Sequence, residues 1–131
     1  MPRTIFMDFI EGKAPCARVY EDDKTFAFLD QSPLTTGHTL VIPKDPVDQI
    51  DHCSEELYHA IFQSVHKVSA MLQKSLKPLR IALIVHGTEI PHAHVHVVPL
   101  YTGKELHLAA KDRERATSED LSKLAAKICS A

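Results

Sequence analysis

The apolar residues of this 131-residue chain change their spacing along the sequence, and these changes divide it into strands and helices. Short apolar runs between turn-forming residues are typical of β-strands. The Asp-Asp-Lys turn between the first two runs indicates a hairpin, and Pro43 closes the third run. The predicted strands are residues 17–21, 25–30, 38–43, 80–85 and 92–98.

Between the third and fourth strands the apolar spacing becomes helical. Apolar residues recur every three or four positions, which places them on one stripe of a long helix. Ser54 is the expected N-cap of this helix, and Pro78 lies just beyond its end. The stripe consists of Leu57, Ile61, Val65, Val68 and Leu72.

A second helix is expected at about residues 118–130, where Leu121, Leu124 and Ile128 form its stripe. The resulting order, β-β-β-α-β-β-α, contains no repeating βα unit. We therefore predict an α+β fold, with a five-stranded antiparallel sheet, the long helix packed on one face, and a C-terminal helix. A chain of this length is expected to form a single domain, residues 1–131.

Composition and charge narrow the classes of function. The chain is 44% hydrophobic and 24% charged, which is ordinary for a globular protein. A net charge of −2 argues against a nucleic-acid partner or a membrane surface, and the apolar run at residues 81–85 is too short to span a bilayer. Three scattered cysteines without a Cys-x-x-Cys pair predict reduced thiols and a cytoplasmic location.

Residues 91–99 read PHAHVHVVP and place three of the nine histidines at every second position. On a strand, this alternation puts the small apolar residues on the core face and His92, His94 and His96 on the other. The three imidazoles are then expected about 6.5 Å apart along the strand.

Three interpretations of this row follow from the residues. It is a chance run of surface histidines, or a zinc site completed by His38, His86 or Glu89, since imidazole nitrogen is a common zinc ligand. Alternatively, a neutral imidazole attacks phosphorus while its neighbours stabilise the transition state. Spacing leaves all three interpretations open.

The segment HAHVHVV resembles the His-x-His-x-His-x-x signature of the histidine-triad (HIT) family. The resemblance covers about residues 3–101 and implies the same five-stranded sheet, a homodimer, and a purine nucleotide as the small-molecule substrate. Members of the family hydrolyse or transfer a nucleotidyl group. The upstream matches are TIF (4–6), VYEDD (19–23), FAFLD (26–30) and SPLTTGHTLVIPK (32–44).

The resemblance assigns a role to each polar position. His94 is the expected nucleophile, while His92 and His96 orient it and contact the phosphate. His38 matches a fourth histidine behind the triad, and Asp30 matches the carboxylate that accepts hydrogen bonds from both ribose hydroxyls. The apolar cleft for the base is expected to comprise Ile5, Phe6, Phe9 and Phe28.

The chain departs from the family between the fourth strand and the triad. Many members have Asn and then Gly-Gln-Ser there, whereas this chain reads HGTEIP at 86–91. Gly87 is the expected equivalent of the glycine, but Thr88 and Glu89 replace the polar pair. A carboxylate near a phosphate repels it. This departure keeps a second function open, a purine-nucleotide-binding module without useful turnover.

We predict neither a metal nor any other cofactor. Some bacterial relatives hold a structural zinc with an N-terminal cysteine pair, and Thr4 and Met7 stand at those positions. Residues 102–117 are predicted to be a connector rather than a flap over the site. A homodimer is expected also because the long helix offers more apolar surface than one stripe needs, at Ile61, Phe62, Val65 and Val68.

Overall fold

The computed structural model describes residues 3–107 and 113–131. Five strands form one sheet in the order β1-β2-β3-β5-β4, and every neighbouring pair is antiparallel. The predicted α+β class is therefore confirmed. The elements are α1 Ile5–Ile10, β1 Arg18–Glu21, β2 Thr25–Leu29, β3 Thr39–Pro43, α2 Glu55–Leu76, β4 Arg80–Ile84, β5 Val95–Leu100 and α3 Ser118–Ser130.

The long helix α2 begins and ends where the sequence predicts. The Ser54 side chain accepts a hydrogen bond from the Leu57 N–H, and Lys77 ends the helix in a left-handed conformation before Pro78. The apolar stripe packs against one sheet face together with α3, whose predicted bounds of 118–130 are confirmed. Among the described residues, no helix is both long and apolar enough to cross a lipid bilayer.

The other sheet face carries a second apolar cluster, because side chains alternate along each strand. The helix α1 covers part of this face and was not predicted from the sequence. Phe28 of β2 pairs with Leu40 of β3, and Leu40 pairs with His96 of β5. This register carries one row of side chains across three strands and brings His96 beside the aromatic cluster. The cluster consists of Phe6, Phe9, Phe26, Phe28, Leu40 and Ile42.

The strand that carries the histidines begins later than predicted. We expected it over residues 92–98, but β5 spans Val95–Leu100, so His92 and His94 precede it. The His92 N–H donates to the Ile90 carbonyl and the Ala93 N–H donates to the Val47 carbonyl. These bonds hold the backbone outside the sheet ladder. The predicted row of three evenly spaced imidazoles on one strand is therefore wrong.

The segment predicted to be a connector, residues 102–117, is only partly described, since residues 108–112 lie outside the described ranges. Glu105–His107 form a single helical turn. Further on, the Ala116 N–H donates to the Gln31 carbonyl, and the Arg115 guanidinium donates to the Gln31 side chain. The end of the segment is thus held beside the end of β2.

Candidate active site

A cavity of about 320 Å³ opens on the sheet face that carries α1. One part of its wall is apolar and the other part is polar, which is the usual composition of a small-molecule site. Among the described residues that follow residue 107, Arg113 alone lines this cavity. The apolar lining residues are Ile5, Phe6, Phe9, Phe28, Leu40 and Ile90, and the polar ones are Asp30, Gln31, Ser32, His86, Glu89, His94, His96 and Arg113.

The four residues predicted for an apolar cleft all line this cavity. The Phe6 and Phe9 rings pack edge-on against Phe28, with ring centroids 5.3 and 5.0 Å from its centroid. Ile5 is half exposed at the rim, with 45% of its surface accessible, whereas Phe6 and Phe28 are buried. A flat apolar group can enter beside Ile5 and rest against the aromatic cluster.

The hydrogen bond of His94 fixes which ring nitrogen carries its proton in the neutral form. Its Nδ1 lies 2.7 Å from the His92 carbonyl oxygen, and a carbonyl only accepts. Nδ1 is therefore the protonated nitrogen, and the lone pair lies on Nε2. Because His94 lines the cavity, the ring presents a nucleophilic nitrogen to a ligand.

A chain of hydrogen bonds fixes the proton of His96 in the same way. The Leu34 N–H donates to His38 Nδ1 at 3.0 Å, so the proton of neutral His38 is on Nε2. This Nε2–H lies 2.9 Å from His96 Nδ1 and donates to it. The proton of His96 is consequently on Nε2, which is buried without a partner among the described residues. His96 thus offers an unused hydrogen-bond donor beside His94, whose ring centroid is 5.1 Å away.

Burial keeps these supporting histidines neutral. Desolvation lowers the pKa of His38 to about 4, with help from the Arg113 charge. Desolvation also lowers the pKa of His96 to about 3, followed by the effects of the His38 and His94 charges. His38 and His96 are therefore present at neutral pH as the uncharged tautomers described above.

This neutrality predicts how stability depends on pH. Both folded-state pKa values lie below the ordinary value of 6.5, so between about pH 6.5 and pH 4 the unfolded chain binds protons that the folded chain does not. The contribution to the free energy of unfolding is complete above this range and is lost as the pH falls through it. In His96→Asn, the free energy of unfolding is expected to change less steeply with pH near pH 5. The difference in slope from wild type is about 1.4 kcal/mol per pH unit, the value for one proton.

Urea unfolding at several pH values measures this slope. His66→Asn, which removes an exposed histidine of α2, is the matched control and should keep the wild-type slope. Equal slopes for wild type and His96→Asn would show that His96 takes up its proton in the folded state.

Asp30 lies directly after β2 and lines the cavity. Its Oδ1 accepts a hydrogen bond from the Ser32 N–H at 2.8 Å, and its Oδ2 lies 3.6 Å from His38 Nε2. Desolvation raises the pKa of this carboxyl, while the Ser32 N–H and the Arg113 charge oppose the rise. The carboxylate retains acceptor capacity for a ligand, because each of its oxygens can accept more than one hydrogen bond.

His38, His92 and Gly87 were predicted for the site but do not line this cavity. His92 is completely buried, and its Nε2–H donates to the Pro43 carbonyl at 2.8 Å. The His92 carbonyl also accepts a hydrogen bond from His94 Nδ1, which agrees with the predicted orienting role. A completely buried ring argues against the predicted contact between His92 and the phosphate. Gly87 adopts a φ of 59°, which glycine tolerates well, and lines an adjoining cavity.

Of the lining residues that were not predicted for the site, His86 and Arg113 bear most on its chemistry. His86 stacks on His96 with ring centroids 5.5 Å apart and an angle of 7° between the planes. The sequence contained a signal for this contact, because His86 follows β4, the antiparallel neighbour of β5. Arg113 lies in the segment after β5, where no apolar pattern predicts its position. The sequence therefore gave no indication that Arg113 lies near the triad.

Asp30, His38 and His96 are the one group of potential metal ligands found among the described residues, with donor atoms within 4.8 Å of one another. The hydrogen bonds disfavour metal binding here, since the proton of His38 Nε2 occupies the space between the two rings. A metal bound by both nitrogens would have to displace that proton.

Comparison with known proteins gives matches over most of the chain. Residues 11–103 match the HIT domain family. The chain is 35% identical over 102 residues to "Protein hit" of Bacillus subtilis, covering 74% of this chain and 70% of that protein. It is also 27% identical over 137 residues to adenylylsulfatase HINT3 of Arabidopsis thaliana, covering 96% of this chain and 70% of that protein.

Solved structures give a similar result. A hypothetical histidine triad nucleotide-binding protein from Sulfolobus tokodaii superposes with a TM-score of 0.86 at 28% identity, covering 97% of this chain and 90% of that one. A zinc-bound histidine triad family protein from Mycobacterium smegmatis gives a TM-score of 0.81 at 26% identity, covering 96% and 93%.

Proposed function

This chain belongs to the HIT domain family, and on that premise we propose that it cleaves a nucleoside 5′-phosphoryl bond through a covalent nucleotidyl-histidine. The observation that carries the proposal is the pair of fixed tautomers: an Nε2 lone pair on His94 beside an Nε2–H donor on His96. Attack and charge stabilisation require these two groups. The proposed substrate is a purine nucleotide joined to an amine, an acyl or sulfo group, or a second nucleotide.

The rest of the cavity supplies the proposed binding contacts. The base rests on the apolar wall formed by Ile5 and the aromatic cluster. The Asp30 carboxylate accepts hydrogen bonds from the two ribose hydroxyls. Arg113 contributes a positive charge to this end of the cavity, which favours the phosphoryl group.

In the proposed mechanism, His94 Nε2 attacks phosphorus and the bond from phosphorus to the leaving group breaks. His96 donates its Nε2–H to a non-bridging phosphoryl oxygen, where negative charge accumulates in the transition state. Water then attacks the phosphorus and releases the nucleoside monophosphate from His94. The buried bond from His94 Nδ1 to the His92 carbonyl stabilises the positive charge that the ring carries in the intermediate.

A second function, a purine-nucleotide-binding module without useful turnover, is kept because Glu89 lines the same cavity. A carboxylate near the phosphoryl group opposes the approach of further negative charge. A metal-dependent hydrolase is the third candidate, from the ligand group at His38 and His96.

One assay separates the three candidates. We expect the purified protein to hydrolyse adenosine 5′-phosphoramidate, and its rate to be unchanged by EDTA because no step uses a metal. Binding of AMP without turnover would support the module. Activity lost to EDTA and restored by zinc would support the metal-dependent hydrolase.

We also propose a homodimer, although the residues predicted for its surface, Ile61, Phe62, Val65 and Val68, all pack in or against the core of the protomer. Ile61, Val65 and Val68 are buried in the core of the protomer and offer no free surface. A group of exposed apolar side chains lies at and next to β4, one of the two edge strands of the sheet. Leu79 is 66% exposed and Leu83 is 49% exposed. An exposed strand edge with apolar side chains is a favourable surface for pairing with a second copy.

Light scattering at micromolar protein is expected to give twice the protomer mass of 14.6 kDa. Leu83→Lys places a charge on the proposed interface and should shift the mass towards one protomer. Leu106→Lys, at an exposed leucine outside β4, is the matched control. A wild-type mass of one protomer would contradict the dimer.

We propose further that residues 1–131 act as one HIT domain, since α3 packs into the same core as α2. The thiols of Cys16, Cys53 and Cys129 are all free, which agrees with a reducing compartment. A cytoplasmic location remains a prediction.

A further inference from the structure

A second cavity, of about 420 Å³, adjoins the first, and His86 and His94 line both. The residues proposed to bind base and ribose line only the first cavity. The second is formed by the turn at residues 48–51 and by residues 85–88 after β4. The second cavity therefore offers space for the leaving group on phosphorus, apart from the space for the nucleoside. His86 lies at the boundary between the two cavities.

The ring of His86 is held in place although the side chain is exposed. It stacks on His96 with the two planes within 7° of parallel, and its Nδ1 lies 3.3 Å from Thr88 Oγ1. With Nδ1 occupied by Thr88, Nε2 is the nitrogen that can serve a ligand. Unlike the buried rings of His38 and His92, the His86 side chain is open to solvent.

No other histidine of the site is suited to deliver a proton. His38, His92 and His96 have lowered pKa values because they are buried, and His94 is the nucleophile. The charged and titratable groups that line the two cavities together with His86 are Asp48 and Asp51 in the second and Asp30, Glu89, His94, His96 and Arg113 in the first.

We propose that His86 is the general acid that protonates an amine leaving group, an inference that rests on the proposed function. As His94 Nε2 bonds to phosphorus, the P–N bond breaks, its electron pair stays on nitrogen, and the Nε2 proton of His86 completes the neutral amine. Neutral His86 then accepts a proton from the water that attacks the nucleotidyl-histidine. The imidazolium is restored and the nucleoside monophosphate leaves.

Two substrates with the same nucleotide half test this role. The leaving group of an alkyl phosphoramidate of AMP needs a proton, whereas the 4-nitrophenyl ester of AMP releases a stable anion. In His86→Asn, kcat/KM for the phosphoramidate is expected to fall about 100-fold, within the usual range for a general acid, and that for the ester by less than about 3-fold. His66→Asn, at an exposed histidine of α2, should leave both values unchanged.

A smaller selective loss in Thr88→Val, which removes the partner of His86 Nδ1, would add support. Equal losses on both substrates in His86→Asn, or full activity on the phosphoramidate, would overturn the assignment. If wild type cleaves neither substrate, the proposed function itself fails, which is a different result. Retained AMP affinity in His86→Asn checks that the variant is folded.

Discussion

Replacing His94 with Asn is expected to lower the turnover of nucleoside 5′-phosphoryl substrates by about 1,000-fold or more, as for other nucleophile removals. The substitution removes the Nε2 lone pair that attacks phosphorus, so no covalent intermediate can form. Nucleotide binding should be largely retained, because the proposed base and ribose contacts come from α1 and β2. Single-turnover kinetics with a labelled substrate and AMP titration by calorimetry measure the two effects separately.

The neighbouring histidines provide the comparison for this result. His96→Asn loses a donor to the phosphoryl oxygen, and His92→Asn loses the side-chain support of the segment, but both keep the nucleophile. Each should still form the intermediate, more slowly than wild type. Full turnover by His94→Asn, or a loss no larger than that of His92→Asn, would contradict the assignment of His94.

Asp30→Ala is expected to weaken AMP binding by about 1.5–3 kcal/mol, which corresponds to roughly a 10- to 150-fold rise in Kd. This is the range for hydrogen bonds to a charged group, and the carboxylate is proposed to accept two of them. AMP titration by calorimetry with wild type and Asp30→Ala measures the change.

A ligand without the hydroxyls separates this role from a structural one. Asp30 also accepts the Ser32 N–H and lies close to His38, so its loss could disturb the site as a whole. The 2′,3′-dideoxy analogue of AMP should bind wild type weakly and be nearly insensitive to Asp30→Ala. Equal losses of affinity for both ligands would mean that the carboxylate only supports the loop.

Much of the fold could be predicted because most of its elements have a single strong pattern. The stripe from Leu57 to Leu72 and the Ser54 cap determine α2 almost completely. The helix α1 has only six residues, too few for its apolar spacing to be distinguished from a loop that packs on the core. The dimer surface was assigned wrongly because periodicity identifies apolar positions but does not show which neighbour covers them.

The triad segment shows the same limit at the site. Alternation of small apolar residues with histidines correctly predicted that Ala93, Val95 and Val97 are buried. It did not predict that the backbone leaves the ladder before Val95, because a hydrogen bond to Val47, far away in sequence, causes this. Sequence alone also cannot assign ring protons, which depend on partners such as Leu34 and the His92 carbonyl.

The most direct test of covalent catalysis is to quench wild-type protein during turnover and identify the labelled residue. A phosphoramidate of AMP with a label in the nucleotide half should leave an acid-labile nucleotidyl group, and peptide mapping after a mild, non-acidic digestion should place it on His94. His94→Asn treated in parallel should carry no label. An adduct on another residue, or turnover by wild type without any adduct, would contradict the mechanism.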